Sequence, residues 1–385
     1  MDEQHLRRSV SALFPAPRGP RTTWVGVEQE LISRDLRDGS VVTIDRIRRS
    51  AGHSPYRDFL GFEPGGQVEL SFPCARTVRA LERRYRCDLD ALRRDCAAIG
   101  VAVEALPVDP SRQVNDVPLQ LNRPRYLGMQ RHFDRIGPAG RQMMRLTAST
   151  QLCLDWWPGS DGLEQWRLAQ LAGPALAATF AAGSGSRLAI WLAVDPDRTA
   201  FDGRLAGSDP VRAYAEFAAA AGTFAMPGDT AATPESAPFW IWWQHRDNRS
   251  QAAVDHHLST LFPPVRPRGH YLEIRYLDAQ PHDDVAIASA VFATLLYDDA
   301  TRHAALGLLD GGGPALADDW RTAAYDPTDA TLTDRGRQLL ALAVAGMSRA
   351  EHGYLPDDII GRTEAFIDSL ADRTRPESTL EVGAR

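Results

Sequence analysis

Four segments of this chain alternate polar and apolar residues with a period of two, and no other feature of the sequence constrains the fold as much. In the first, near residues 23–32, Glu28 and Glu30 lie on one face of a strand and Val27 and Leu31 on the other. The pattern therefore predicts four strands, each with an apolar and a polar face. The polar faces of the other three strands carry Gln67, Glu69 and Ser71; Ser149, Gln151, Cys153 and Asp155; and Tyr271, Glu273 and Arg275.

A polar strand face by itself is ordinary, because many antiparallel sheets have one side in water. Glutamate is nevertheless a poor strand former, and acidic residues clustered on several strands favour a compensating cation. Carboxylates together with the amide oxygen of Gln151 form a hard-oxygen set that suits Mg²⁺ or Mn²⁺. Arg275 follows Glu273 by two residues and is placed to clamp a phosphate. The pattern indicates phosphoryl transfer from ATP on an open sheet.

Charge and composition exclude several other classes of protein. The chain carries 43 basic residues, all of them arginine, so it cannot contain a P-loop lysine or a Schiff-base lysine. A net charge of -7 with scattered arginines argues against nucleic-acid binding. There is no apolar run of about 18 residues, which excludes a membrane-spanning helix. The N-terminus lacks an apolar signal region and the four cysteines form no CxxC pair, so we expect a cytoplasmic protein.

The remaining patterns predict an α+β protein with a largely antiparallel sheet. A Pro-Gly-Gly turn after Glu63 indicates a hairpin between residues 59–63 and 67–72. We expect one domain over residues 1–385, with a mostly helical part at 283–374 and a loose tail at 375–385. A further strand is expected at 101–106, the last two of the four alternating strands span 145–155 and 269–278, and helices are expected at 77–100, 125–136, 163–180 and 251–261. Residues 187–194 fit either a strand or a helix, residues 183–185 a plain turn, and residues 221–238 a loop.

Several motifs, in matching order over about residues 24–280, resemble the plant-like glutamate–cysteine ligases. The Glu63–Ser71 and His257–Asp278 stretches are the most specific of them, and Arg266-Pro-Arg-Gly269 is most similar to the actinobacterial branch that serves ergothioneine synthesis. The motifs are Gly26-Val-Glu28-Gln-Glu30, Glu63-Pro-Gly-Gly-Gln-Val-Glu69-Leu-Ser71, Arg125-Tyr126-Leu-Gly-Met129, Ser186-Arg187, Asp195-Pro-Asp-Arg198-Thr199 and Tyr271-Leu-Glu273-Ile-Arg275.

This resemblance implies a fold and a reaction. The fold is a curved, mainly antiparallel sheet that forms a saddle, with helices packed on its outer face, like the catalytic core of glutamine synthetase. In the reaction, ATP phosphorylates the γ-carboxylate of L-glutamate, and the amine of L-cysteine attacks the γ-glutamyl phosphate. The products are γ-glutamylcysteine, ADP and phosphate. The implied cofactors are ATP and Mg²⁺, with Mn²⁺ as an alternative.

The resemblance also implies roles for individual residues. Arg275 would hold the transferring phosphate and contact the nucleotide together with Gln151, and Glu69 and Glu273 would be catalytic as well as metal-binding. The implied metal ligands are Glu28, Glu30, Glu69, Gln151 and Glu273, and the implied substrate-binding residues are Arg187, Arg198, Arg125 and Tyr126.

Two alternatives remain open from the sequence. The first is a carboxylate–amine ligase that uses an amine other than cysteine, since the ATP and metal motifs would be the same. The second is a binding protein that has kept the fold and lost turnover. The segment at residues 202–238 matches no motif of the family and is a candidate for setting the acceptor pocket.

Overall fold

The computed structural model describes residues 3–15, 19–182, 186–227, 237–245, 249–310 and 313–373. The turn expected at residues 183–185, residues 228–236 of the loop expected at 221–238, and the tail expected at 375–385 lie outside these ranges. Within them, no helix has both the length and the apolar character needed to cross a membrane.

An open sheet of seven strands organises the described part of the chain, and all its pairings are antiparallel. The expected class, α+β with a mainly antiparallel sheet, is thereby confirmed. The order is β2-β3-β1-β5-β7-β6, and β4 pairs with the end of β1. The strands are β1 (Val25–Asp35), β2 (Leu60–Phe62), β3 (Val68–Ser71), β4 (Val101–Glu104), β5 (Ser149–Asp155), β6 (Val265–Pro267) and β7 (Tyr271–Asp278).

Helices surround this sheet, and five of those described follow the last strand, as expected from residue 283 onward. In chain order they are α1 (Glu3–Ser11), α2 (Ile44–Ala51), α3 (Val78–Ala98), α4 (Pro124–Asp134), α5 (Ala139–Leu146), α6 (Gly159–Leu171), α7 (Gly173–Thr179), α8 (Ser186–Val194), α9 (Pro196–Thr199), α10 (Pro210–Ala220), α11 (Phe239–Gln244), α12 (Gln251–Ser259), α13 (His282–Tyr297), α14 (Asp299–Leu309), α15 (Leu316–Tyr325), α16 (Ala330–Met347) and α17 (Ile359–Arg373). Short 3₁₀ turns lie at Arg57–Phe59 and Gly313–Ala315.

The apolar face of the sheet is buried beneath helices. Val27, Leu70, Leu152 and Ile274, one from each of the four predicted strands, are almost completely buried in the main core. Helix α3 packs on β1, and α13 packs on both β5 and α3. Burial of this face stabilises the fold by roughly 25 cal/mol for each Å² of apolar surface removed from water. It also fixes the register of each strand, because a one-residue slip would turn the apolar set outward.

Two element boundaries differ from the sequence-based expectation. The strand expected at residues 145–155 begins only at Ser149, and the chain before it forms α5, which packs against α4 and α8. The helix expected at 163–180 is two helices that meet at Ala172, because Pro174 lacks the N–H that a continuous helix requires. The ambiguous segment at 187–194 is helical and lies within α8.

A second, smaller apolar cluster lies near the polar face of the sheet. Helices α4, α5 and α8 build it, and Phe262, just after α12, completes it. The sheet and this cluster leave a cleft between them, so one wall of the cleft is charged and part of the other is apolar. The buried members of the apolar cluster are Met129, Phe133, Ala139, Met144, Val194, Phe224 and Phe262.

Candidate functional site: a carboxylate and arginine cleft

The register of the sheet brings the four predicted polar faces onto one surface. Glu30 pairs with Glu69 across β1 and β3, and Glu28 pairs with Gln151 across β1 and β5. On the far side of β5, Cys153 pairs with Glu273 of β7. Directly opposed residues of antiparallel strands point to the same face. The prediction of one shared polar face is therefore confirmed.

A further carboxylate, Glu63, joins this surface from the turn between β2 and β3. Carboxylate oxygens of Glu30, Glu63 and Glu69 all lie within 4.8 Å of one another. The turn is closed by a hydrogen bond from the Gly66 backbone N–H to the Glu63 carbonyl, 2.8 Å between N and O. Gly66 has a φ of +92°, and a Cβ there would lie 2.1 Å from Gln120 Nε2. Glycine is therefore required at the position that turns Glu63 toward the sheet.

Such close carboxylates repel one another, and the electrostatics of the trio reflect it. Burial, followed by the charges of Glu30 and Glu69, raises the pKa of Glu63 well above its usual range. Burial and the charge of Glu69 also raise the pKa of Glu30. Burial, then Glu273 and Glu69, raises the pKa of Glu28 to about 7. A hard divalent cation would relieve this repulsion, and three convergent carboxylates fit the oxygen ligands that Mg²⁺ or Mn²⁺ takes.

The other half of the surface is an arginine group around Glu273. Arg275 forms an ion pair with Glu273, and Arg268 Nε lies 2.9 Å from the second carboxylate oxygen, Oε2, without hydrogen-bond geometry. Burial alone would raise the pKa of Glu273, but Arg275, Arg266 and Arg268 outweigh it and hold the pKa below its usual value. Glu273 is thus a stable anion among cations, and it lies outside the trio that the carboxylate geometry brings together.

Gln151 links the two halves. Its Nε2 donates to Glu30 Oε1 at 3.0 Å, and its Oε1 accepts from Arg275 at 2.6 Å. Only the amide oxygen can face a guanidinium, so the orientation of the side chain is fixed. Gln151 was expected to be a metal ligand, but here its oxygen is engaged by Arg275. It connects the carboxylates to the arginine group.

The cleft above this surface has a volume of about 300 Å³. Its floor is the polar face of the sheet, and the smaller apolar cluster provides much of its roof. The charged and polar lining residues are Glu28, Glu30, Glu63, Gln67, Glu69, Arg125, Tyr126, Thr147, Gln151, Arg266, Arg268, Glu273 and Arg275, and the others are Pro64, Met129, Met143, Met144, Trp191 and Phe262.

Of the four residues expected to bind substrate, two line the cleft. Arg125 is held there by Ser259, whose Oγ lies 2.7 Å from one terminal nitrogen and whose carbonyl oxygen lies 2.9 Å from the other. Tyr126 follows it on α4, and burial raises the pKa of its phenol. Both side chains are half-buried and reach the cleft from the roof.

The other two, Arg187 and Arg198, are buried away from the cleft lining. Arg187, on α8, is buried; it donates to the carbonyl oxygen of Arg275 at 3.2 Å, and its NH1 lies 3.8 Å from Asp278 Oδ1. Arg198 is completely buried and donates to Thr260 and to the Gly222 carbonyl oxygen. Neither position supports the direct contact with a substrate carboxylate that the resemblance implied, because protein atoms surround both guanidiniums.

Cys153 has the electrostatics of a neutral thiol. Burial, then the charges of Glu28 and Glu273, raises its pKa well above the usual value. A thiol attacks as thiolate, so these surroundings disfavour nucleophilic catalysis. The three other cysteines, Cys74, Cys87 and Cys96, are also free.

Glu63, Arg266 and Arg268 line the cleft although we did not predict roles for them. Each stood inside a motif that was recognised: Glu63 opens the Pro-Gly-Gly motif, and the two arginines belong to Arg266-Pro-Arg-Gly269. Strand periodicity could not reveal them. Glu63 lies in a turn, Arg266 lies in β6, which is too short to show a period, and Arg268 lies just beyond that strand. Motif membership was the signal that could have found them.

Comparisons with known proteins agree with the resemblance found in the sequence. Residues 24–352 match the model of glutamate–cysteine ligase family 2. The chain is 31% identical to glutamate–cysteine ligase EgtA of Mycobacterium tuberculosis over 341 residues, which cover 82% of this chain and 74% of that protein. It is 26% identical to the chloroplastic glutamate–cysteine ligase of Arabidopsis thaliana, over 77% of this chain and 62% of the plant protein.

A solved structure shows the same fold at low sequence identity. It is a glutamate–cysteine ligase from Francisella tularensis in complex with AMP, 12% identical to this chain, with a TM-score of 0.51. The match covers 94% of this chain and 84% of the other. The fold expected from the resemblance is therefore supported by structure as well as by sequence.

Proposed function

The chain belongs to glutamate–cysteine ligase family 2, and from this premise we propose that it joins L-glutamate to L-cysteine at the expense of ATP. The γ-carboxylate of glutamate attacks the terminal phosphorus of ATP, which forms γ-glutamyl phosphate and releases ADP. The amine of cysteine then attacks the acyl carbon, phosphate leaves, and γ-glutamylcysteine remains.

One observation supports this function above all: two oppositely charged half-sites share one cleft. The trio of Glu30, Glu63 and Glu69 lies on one side, and Arg275 and Arg268 lie on the other. A reaction that brings ATP and glutamate together needs both, since phosphates and carboxylates repel each other unless cations lie between them. A site for an uncharged substrate would gain nothing from this arrangement.

Mg²⁺ fits the carboxylate half-site, with Glu30, Glu63 and Glu69 as its ligands and Glu28 next to them. When bound, the metal would neutralise phosphate charge and so favour attack at phosphorus. Mn²⁺ has the same preference for oxygen ligands and is the alternative. We assign Glu273 to the arginine half-site, where it orients Arg275 and Arg268.

The chain's own residues perform the remaining work in this proposal. Arg275 grips the phosphoryl group in transit, because its planar guanidinium can donate two parallel hydrogen bonds. Gln151 fixes that guanidinium by accepting from it at 2.6 Å. Met129, Met143 and Phe262 roof the cleft with apolar surface, which keeps water from the reactive acyl phosphate until the amine arrives.

The family's ergothioneine branch suggests a pathway. The match to a ligase named EgtA supports a role in supplying γ-glutamylcysteine for a low-molecular-weight thiol such as ergothioneine. ATP as co-substrate and four free cysteines fit a cytoplasmic enzyme.

ADP release and product mass test the proposal together. Purified protein is given ATP, MgCl₂ and L-glutamate, with and without L-cysteine, and γ-glutamylcysteine is sought by mass spectrometry. We expect ADP release to be strongly stimulated by cysteine and matched by product. Glu69→Gln is the control, since it should fold normally and lose ligation.

Other outcomes select the alternatives. ADP release stimulated by a different amine, such as glycine or 2-aminobutyrate in place of cysteine, would show that the protein is a ligase with another acceptor. If the protein binds nucleotide but releases no ADP with any of the amines, it is a binding protein on the ligase fold.

A further inference from the structure

Two cysteines flank the glycine near the start of β1. Cys153 of β5 pairs directly with Gly26, and Cys74 lies on the other side of it, in the segment that follows β3. Backbone hydrogen bonds of 2.7 and 2.9 Å between Ala75 and Val25 hold that segment against β1. The two cysteines and the glycine therefore form one row across the sheet, and the middle position of the row has no side chain.

The missing side chain leaves a gap between the two thiols. A Cβ placed on Gly26 would lie 3.3 Å from the Cβ of Cys153 and 3.7 Å from the Cβ of Cys74. The two cysteine Cβ atoms therefore approach one point from either side of β1, and their separation cannot exceed the sum of these two distances. Cys74 is exposed and Cys153 is half-buried, so solutes can reach the pair.

This arrangement suits a shared metal ion better than a disulfide. Segments on the two sides of one strand are about 9–10 Å apart, whereas a disulfide requires Cα atoms within about 7 Å of each other. Two sulfurs bound to one metal ion lie about 4–5 Å apart, because each metal–sulfur bond is about 2.3 Å long. The thiols can therefore meet at a metal over Gly26 without any movement of the strands.

We propose that Cys74 and Cys153 form a two-thiolate site for a thiophilic d¹⁰ cation of the Cu⁺ type. Thiolate sulfur is a soft ligand that selects Cu⁺, and Cu⁺ is stable with two ligands in a nearly linear arrangement. Binding forms two metal–sulfur bonds and releases the two thiol protons to solvent, and no atom changes its oxidation state. This inference goes beyond the proposed ligation and does not depend on it, because neither cysteine takes part in that chemistry.

The two-thiolate site is distinct from the carboxylate trio, although it lies beside the cleft. Cys153 pairs with Glu273 across β5 and β7, and Glu28 follows Gly26 by two residues on the same face of β1. The oxygen ligands of the trio suit a hard cation such as Mg²⁺, and the sulfur pair suits a soft one. The two sites therefore select different metals, which allows them to be tested separately.

Competition with bicinchoninate, a coloured chelator of Cu⁺, measures the two-thiolate site directly. The full-length protein is reduced, freed of reductant under nitrogen and titrated against the Cu⁺ complex, whose absorbance is followed. We expect one Cu⁺ per chain, with an affinity that a large excess of MgCl₂ leaves unchanged. Cys74→Ser and Cys153→Ser should each lower this affinity by about 100-fold or more, because a single thiolate remains.

Gly26→Ala tests the geometry while it keeps both thiols. Its methyl group would occupy the gap and separate the two sulfurs, so we expect the affinity for Cu⁺ to fall by about tenfold or more. Cys87→Ser is the matched control, because Cys87 is another exposed free cysteine but lies on α3, and its loss should leave the affinity unchanged. Cys74→Ser alters an exposed side chain and keeps the proposal testable if Gly26→Ala or Cys153→Ser fails to fold.

Three results would overturn the two-thiolate site. Parental affinity in either Cys74→Ser or Cys153→Ser would mean that the two thiols do not share the metal. Parental affinity in a folded Gly26→Ala protein would place the metal elsewhere. A doubling of the mass on addition of Cu⁺, measured by light scattering and abolished by Cys74→Ser, would place the metal between two copies of the chain.

Discussion

Arg275 occupies the junction between the two halves of the cleft. It pairs with Glu273 on its own strand, it donates to Gln151 at 2.6 Å, and its backbone carbonyl accepts from Arg187. Its Nε is buried and has no hydrogen-bond partner in the described structure. Its guanidinium is therefore oriented by Glu273 and Gln151 while it lines the cleft, where a transferring phosphate would lie in the proposed reaction.

Arg275→Lys keeps the charge of this side chain and removes its planar fork. We expect kcat to fall by about 100-fold, as for the loss of one transition-state donor, while ATP affinity changes little. Steady-state kinetics and calorimetry with ATP would separate the two quantities. A variant with near-parental kcat would show that charge alone suffices, and one that lost only ATP affinity would place Arg275 on the ground-state nucleotide.

Glu63→Gln should stabilise the metal-free protein and weaken its binding of Mg²⁺. It removes one of three mutually repelling carboxylates, so we expect the Tm without metal to rise by about 1–3 °C. The MgCl₂ concentration for half-maximal ligation should increase by about tenfold or more, because a metal ligand is lost. Differential scanning fluorimetry and a MgCl₂ titration measure both.

The exposed Glu216→Gln is the control for that comparison. A lower Tm for Glu63→Gln, together with an unchanged MgCl₂ requirement, would remove Glu63 from the proposed ligands.

The Glu63–Gly66 turn shows how a single element positions chemistry. The strands that it joins, β2 and β3, are short, and the turn must bring Glu63 back over the sheet to meet Glu69. The turn is also anchored from outside, since the Gly65 N–H donates to the Met144 carbonyl at 3.1 Å. The position of the carboxylate therefore depends on backbone geometry as much as on the side chain.

Gly66→Ala tests that dependence. Alanine at a φ of +92° is strained, and its Cβ would lie 2.1 Å from Gln120 Nε2. We expect the free energy of unfolding to fall by more than about 1 kcal/mol and ligation to fall with it. Chemical denaturation and the ADP-release assay measure the two effects.

Gly137→Ala is the matched control, because a Cβ there meets nothing within 4 Å. It should change stability by about 0.5 kcal/mol or less. Equal behaviour of the two variants would mean that the turn tolerates a side chain and that its geometry does not place Glu63.

At the scale of the whole molecule, buried titratable groups make the free energy of unfolding depend on pH. His257 belongs to a sequence motif of the family, yet it lies in the core, where its ring stacks on Phe239 with centroids 4.2 Å apart. Its Nε2 lies 2.7 Å from the Ala218 carbonyl oxygen. Burial, reinforced by the charge of Arg198, lowers the pKa of His257 to about 3. It is a packing residue and remains neutral.

This depressed pKa predicts a loss of stability in acid. Below about pH 6.5 the unfolded chain protonates His257 while the folded protein does not, so the free energy of unfolding falls as pH drops toward 3, by at most about 1.4 kcal/mol per pH unit. Above pH 6.5 the contribution is constant. His257→Phe should flatten this slope, measured by urea denaturation between pH 7.5 and 5.

His53→Phe, at an exposed position, should leave the slope of the parent protein intact. An identical slope for His257→Phe and the parent protein would contradict the assignment, because other groups would then account for the pH dependence.

The sequence by itself determined the sheet's two faces and the residues of its polar side. Period-two alternation is a local property, and it correctly grouped Glu28, Glu30, Glu69, Gln151 and Glu273 before any pairing was known. Motifs then indicated the family, because they stand along the chain in the order that the family has.

Only the tertiary structure decided which of these residues act together. Glu63 enters from a turn, and Arg266 meets Arg125 through a shared carbonyl, so neither association has a periodic signature. Arg198 stands in a motif that the resemblance linked to substrate binding, but it is completely buried, with the residues 259–262 packed against it. Roles of this kind depend on contacts between distant segments, and those contacts exist only once burial of the apolar face has fixed the strands in register.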